Sequence, residues 1–180
     1  MLTFFRSKSN PQKIAAEKLY SGLVAQSRSP VFYAEWGVPD TIDGRFDMVL
    51  VHAFVVMRRL GAGGITEKEV SQALYDVMFV DMDRAIREIG IGDLSVKKHI
   101  RRMMKAFNGR MNAYELGLGD PAALNDALRR NVYGTVKTEI STAALADYLR
   151  TAVISVEAMP LQSLVGGHVI WPLLAARKSA

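Results

Sequence analysis

From Met48 to Met57 every residue except His52 is apolar, and the apolar positions surround a helical projection instead of forming one stripe. A helix that is hydrophobic on all sides is either a membrane span or the buried centre of a bundle. This run falls well short of the roughly 20 residues that a bilayer demands. The centre of a helical bundle is therefore expected. Asp43 and Asp47 near the start, with Arg58 and Arg59 near the finish, match the sign of the helix dipole at each end. Asp43 is the expected cap, and Gly61, Gly63 and Gly64 are the expected left-handed stop. The run is fed by a polar elbow, GVPDTIDG. Pro39 fixes its backbone, Asp40 and Thr41 fold side chains back onto the main chain, and Gly44 relaxes the next bend.

The flanking segments read as amphipathic helices. Asn10-Pro11 is a cap followed by proline at the first helical position, opening a helix to about Arg28 that buries Ala15, Leu19 and Leu23. Pro30 opens a short apolar turn, VFYAEW. Thr66-Glu67-Lys68-Glu69 carries a capping-box pattern. Behind it Val70, Leu74, Val77, Met78, Met82 and Ile86 recur at helical spacing up to Gly90 and Gly92. A long helix from Asp93 or Ser95 towards Leu116 buries Ile100, Met103, Met104, Phe107, Met111 and Tyr114. Asn108-Gly109 is expected to bend or weaken it. Asp120-Pro121 starts a shorter helix to about Arg130, and Ser141 or Thr142 caps another that ends at Pro160. No strand pair, fixed-period repeat or low-complexity tract is present in this pattern. The expected fold is all-α: six or seven helices in one domain over 10–159, followed by an apolar tail over 160–180 broken by Gly166, Gly167 and Pro172.

Chemistry is sparse. The 180-residue chain has no cysteine, which excludes disulfides, thiolate metal sites and cysteine nucleophiles. His52, His99 and His168 lie far apart and in no metal-ligand spacing. A solitary histidine in a core helix ordinarily bonds a backbone carbonyl or a carboxylate, and that is the role expected of His52. Asp40, Asp43 and Asp47 lack the calcium-loop pattern, and helix capping is the better reading of them. Gly61-Ala62-Gly63-Gly64 has neither the lysine nor the preceding strand of a phosphate loop, and no GxSxG occurs. No enzyme, cofactor or metal is expected.

What remains is binding. The net charge is +5, which favours an acidic partner: RNA, an anionic membrane surface or an acidic protein. The charge gathers on one face of the long helix, at Lys97, Lys98, Arg101, Arg102, Lys105 and Arg110. That face is suited to tracking phosphates, or it is an ordinary solvated face. Nine methionines offer flexible apolar contact, although core filling accounts for most of them. At the amino end, Leu2, Phe4 and Phe5 beside Arg6 and Lys8 suit a membrane interface or a frayed terminus. The MLTFFRSKSNPQK start has neither the apolar core nor the cleavage site of a secretory signal, so a cytoplasmic location is expected.

One combination of residues resembles a known family. Gly37, Pro39, Asp40 and Thr41 at the elbow, His52 on the apolar helix and Arg59-Leu60 at its end resemble the ubiquinol–cytochrome c chaperones, bacterial branch. DVMFVDMDRAIRE, GDLSVKKHIRRM and FNGRMNAY are similar to the same family, with Asn108 where an aromatic residue is expected. The likeness runs from about Leu19 to Leu149. Mitochondrial members tend to carry tryptophans where this chain has Arg45-Phe46 and Ala53-Phe54.

The resemblance implies a non-enzymatic assembly chaperone for the cytochrome bc1 complex. It would hold newly made cytochrome b, in mitochondria with a small partner protein at the ribosomal exit. A location peripheral to the inner membrane follows, and the basic face would suit ribosomal RNA or anionic lipid. Trp36, Val38 and Phe46 are expected to border the client surface, since an aromatic-lined elbow offers apolar contact area, with Pro39, Asp40 and Thr41 between them. The alternative is a basic helical module that binds RNA or the ribosome without an apolar client.

Overall fold

The computed structural model describes residues 10–88, 93–136 and 141–174, and of 93, 94 and 99 the backbone alone. Among the described residues eight helices follow one another: α1 (Pro11–Ser27), α2 (Pro30–Ala34), α3 (Ile42–Gly61), α4 (Ile65–Glu88), α5 (Asp93–Leu118), α6 (Pro121–Asn131), α7 (Ala143–Glu157) and α8 (Leu161–Val165). Two of them, α2 and α8, are single short turns of five residues. The described residues contain no strand.

Helix α3 is the axis. It packs against α1, α4, α5, α7 and α8, and every residue from Asp47 to Val56 is buried. Burying each large aliphatic or aromatic side chain stabilises the fold by about 1.5–3 kcal/mol, so this helix supplies much of the core. Around it, α1 lies along α4, and α6 folds back on α5 through Gly119 and Asp120. That hairpin is tight, because a Cβ on Gly117 would meet the Leu124 backbone.

Local chemistry explains most boundaries. Asn10 Oδ1 accepts the Gln12 amide at 3.0 Å, and Asp120 Oδ1 accepts those of Ala122 and Ala123, each ahead of a proline. At α3 the cap is Thr41 and not Asp43. Thr41 is extended, its Oγ1 accepts the Gly44 amide at 3.1 Å, and Asp43 falls inside the first turn. The expected left-handed stop after α3 is also absent: Gly61, Gly63 and Gly64 have no positive φ. The chain leaves α3 through a tight turn in which the Gly63 amide reaches the Leu60 carbonyl at 3.0 Å. Helix α4 then begins at Ile65, so Thr66 lies within the first turn and is not a cap. The expected stop at Gly90 and Gly92 and the reading of Leu2 to Lys8 lie outside the described residues. Helix α5 continues through Asn108-Gly109.

The tail is part of the body up to residue 174. Helix α8 packs on α1, α3 and α4, Leu164 is fully buried, and the Trp171 ring meets the His52 ring edge-on at 4.8 Å.

Candidate functional site

The elbow is held from inside. Gly37 takes φ 69°, a left-handed value that glycine adopts without strain, and lets the Val38 amide return to the Phe32 carbonyl at 3.0 Å. Trp36 and Val38 point inward, 8% and 3% exposed, and the Tyr133 hydroxyl bonds the Trp36 carbonyl at 3.0 Å. Trp36 packs against Phe32 and Tyr148. Of the six residues expected at the client surface, these two shape the elbow and leave the outer face to the others. Pro39 and Phe46 are half-buried, while Asp40 and Thr41 are exposed. Asp40 receives the Arg45 Nε–H at 2.6 Å, an interaction that holds its carboxyl below the usual range. Gly44 sits so close beneath the elbow that a Cβ there would overlap the Pro39 carbonyl oxygen.

Outside the elbow lies a cavity of about 410 Å³ between the start of α3, the middle of α5 and the end of α6 with the turn after it. Asp43, Phe46 and Asp47 form one wall. Arg102, Met103, Ala106 and Arg110 form the second, and Arg130, Val132 and Thr135 close the third. Phe46 from the elbow and Arg102 from the basic helix thus face one space, so the two surfaces expected from sequence are continuous.

Arg110 does not belong to the exposed basic face. Its side chain is 18% exposed, and Nη2 lies 2.7 Å from Asp47 Oδ1. Arg110 follows Phe107 by three residues and precedes Tyr114 by four, both buried, and so falls in the inward rhythm of α5. That spacing is the signal by which sequence could have placed it inside. Asp47 is likewise no capping residue but a buried carboxylate. Burial pushes its carboxyl up to about 7, Arg110 opposes that rise and Asp43 adds to it. Lys97, Lys98, Arg101, Arg102 and Lys105 are exposed, a continuous cationic strip leading to the cavity mouth. Arg130, exposed in the last turn of α6, lines the same cavity as Arg102, and its place on another helix hides that from sequence.

His52 is fully buried and bonded at both nitrogens: Nδ1 to the Met48 carbonyl at 2.7 Å, Nε2 to the Tyr148 hydroxyl at 2.9 Å. A carbonyl only accepts, so Nδ1 carries the proton and Nε2 accepts from Tyr148. Gln26 donates to the same hydroxyl at 3.1 Å. The chain Gln26, Tyr148, His52, Met48 joins α1, α7 and α3, and burial lowers the imidazole to about 4, keeping it neutral. Among the described residues, no three His, Asp or Glu side chains are placed to hold a metal ion. No helix there is long and apolar enough to cross a membrane.

The geometry thus defines an all-α single-domain scaffold built on a buried central helix, with a charged cavity and a basic strip on its outer face. Residues 34–171 match the ubiquinol-cytochrome C chaperone family, and the chain belongs to that family. It is 25% identical over 162 residues to the ubiquinol-cytochrome c reductase complex assembly factor 1 of Mus musculus, covering 88% of this chain and 55% of that protein. The Xenopus laevis factor is 25% identical over 166 residues, covering 88% of this chain and 81% of its own length. The chain therefore spans about half the length of the mouse relative and most of the frog one. The crystal structure of the Cbp3 homolog from Brucella abortus superposes with a TM-score of 0.83 and 30% identity, covering 94% of this chain and 95% of that one. The fold and the chaperone family expected from the elbow, His52 and the basic helix are both borne out.

Proposed function

We propose that this protein is a holding chaperone that binds newly made cytochrome b and supports assembly of the cytochrome bc1 complex. It acts by binding and carries out no reaction, in the cytoplasm and peripherally at the inner membrane. The observation that carries this reading is the joining of elbow and basic strip at one cavity, inside the segment matched to the chaperone family. An apolar client with charged flanks needs both kinds of surface side by side. Phe46 and Met103 offer apolar contact, and Arg102 and Arg130 offer charge. A small partner protein is a further proposed contact. The test is a deletion strain examined by reduced-minus-oxidised spectra. Loss of the b-type haem signal of the bc1 complex is expected, and normal complex and normal cytochrome b levels would overturn the proposal.

A second reading, an RNA- or ribosome-binding module without an apolar client, is favoured by the exposed run Lys97, Lys98, Arg101 and Lys105. Ribosome pelleting at low salt that disappears at moderate salt, with no cytochrome b recovered, would select it.

A further inference from the structure

After α8 the chain turns back along α1. Gly167, at φ 84°, sits so near that helix that a Cβ would come within 2.8 Å of the Lys18 side chain and 3.1 Å of the Ala15 carbonyl oxygen. Val169 lies over Gly22, where a Cβ would meet Val169 Cγ1 at 3.5 Å, and Trp171 reaches α3 to rest on the His52 ring. Residues 168–174 thus form a strap from α1 to α3. Val169, Trp171 and Leu174 pack against the core, while Ile170 and Leu173 turn outward, 72% and 97% exposed.

Two features make the strap a separable layer. Among the described residues, Val169 to Leu174 make no hydrogen bond to the helices beneath, so apolar contact is what holds them. The Trp171 Nε1–H is closed off from solvent without an acceptor there, which costs the seated state the desolvation of one donor. Segments with few protecting hydrogen bonds open at the low end of a protein's local stabilities.

The seat beneath the strap is apolar. Gly22 leaves room for a neighbour's side chain, His52 is committed through both nitrogens to the Met48 carbonyl and the Tyr148 hydroxyl, and the Phe32 ring lies 5.5 Å behind it. The sequence of the tail suits that seat. No Asp, Glu, Lys or Arg stands between Glu157 and Arg177, a stretch close to the roughly 20 residues that span a bilayer. The segment already seated there has the chemistry of the apolar stretches that an unassembled membrane protein exposes.

We propose that residues 168–174 hold the place of the client, and that an uncharged apolar segment of a membrane protein displaces them to lie against α1 and α3. This rests on the client-holding reading. The seat shares no residue with the cavity of Phe46 and Arg102, so it is a second contact for the client. Because the strap is tethered, it competes within the chain, and the apparent affinity for a client falls by the fraction of molecules in which the seat is open. A charged segment gains too little there to replace the strap, and the seat stays covered between clients.

The test uses the full chain carrying Gly22→Cys and Val169→Cys. The 3.5 Å approach is within reach of a disulfide, and the chain has no other cysteine to compete. Oxidation pins the strap and reduction frees it in one and the same protein. The probe is a fluorescein-labelled leucine–alanine peptide of about 20 residues flanked by lysines, in non-ionic detergent, read by anisotropy. The reduced form is expected to bind it, and the oxidised form to bind about tenfold more weakly. Trp171→Ala, which loosens the strap, is expected to bind about fivefold more tightly than the wild type. Thiol titration confirms the disulfide and circular dichroism the fold, and either variant decides alone if the other fails its check. Equal binding by the oxidised and reduced forms would overturn the proposal. So would a folded Trp171→Ala that binds no more tightly than the wild type, or a lock that weakens binding of a glutamate–lysine peptide of the same length just as much. These outcomes bear on the strap alone, whereas normal bc1 complex in the deletion strain would remove the client role itself.

Discussion

The Tyr148 hydroxyl lies 2.9 Å from His52 Nε2, joining residues 96 apart in sequence inside a core that excludes water. Tyr148 is the joint between α7 and the central helix, and it also receives Gln26 from α1. Tyr148→Phe removes the donor, strands the imidazole nitrogen and leaves the rest of the packing in place. A loss of about 1–3 kcal/mol is expected in urea unfolding, the usual range for a buried polar atom left without its partner.

Two buried titratable groups on α3, His52 and Asp47, pull stability in opposite directions with pH. His52 is lowered to about 4 by burial, so between about 4 and 6.5 the unfolded chain binds the extra proton, and its contribution is present above 6.5 and lost as pH falls. Asp47 is raised to about 7 by burial, so between 3.8 and about 7 the folded chain holds the extra proton, and its contribution is lost as pH rises. The wild type is expected to show a shallow profile from pH 4.5 to 6.5. Asp47→Asn should gain stability as pH rises across that window, by about 1–3 kcal/mol. His52→Phe should lose stability over the same span. Urea unfolding at three pH values measures both slopes, and two variants with the same slope would refute the assignment.

The Asp47–Arg110 pair, 2.7 Å apart, ties α3 to α5. At pH 8, above the Asp47 titration, Asp47→Ala leaves a largely buried guanidinium without its counter-charge, and a loss of about 3–5 kcal/mol is expected. The double variant Asp47→Leu, Arg110→Met replaces both charges with apolar groups and is expected to recover most of that loss. A double-mutant cycle in denaturant shows whether the pair or its isolated members set the cost.

Gly44→Ala is expected to abolish the elbow. The new methyl would occupy the position of the Pro39 carbonyl oxygen, and backbone cannot give way as a flexible side chain does. A melting temperature reduced by more than for Gly109→Ala, whose Cβ would meet nothing, is the expected result.

The helices were legible because their signals are local. Asn10-Pro11 and Asp120-Pro121 begin helices where a cap and a proline say they should, and the run from Met48 to Val56 is buried on all sides. Local signals failed where two candidates stood side by side. Thr41 and Asp43 are both good caps, and the extended backbone of Thr41 decided between them. Gly61, Gly63 and Gly64 at the end of α3 looked like a left-handed stop, yet the tight turn from Leu60 to Gly63 needs none. The cavity was half legible. Phe46 and the α5 arginines were named from sequence, but their meeting depends on how α3 and α5 cross, and Arg130 reaches the same space only because α6 folds back. The partners of His52 and Asp47 are distant in sequence, which no short-range pattern records. Arg58, read as a dipole partner, in fact bridges Glu115 on α5 and Glu157 on α7.

The proposed client role is tested most directly by photocrosslinking in living cells, with a benzoylphenylalanine probe placed at Phe46 and, separately, at Lys98 and at Arg84. Cytochrome b captured from Phe46, less from Lys98 and none from Arg84 is the predicted result. Cells that make cytochrome b normally but yield no adduct with it from Phe46 or Lys98, or that yield it equally from Arg84, would contradict the role assigned to this face.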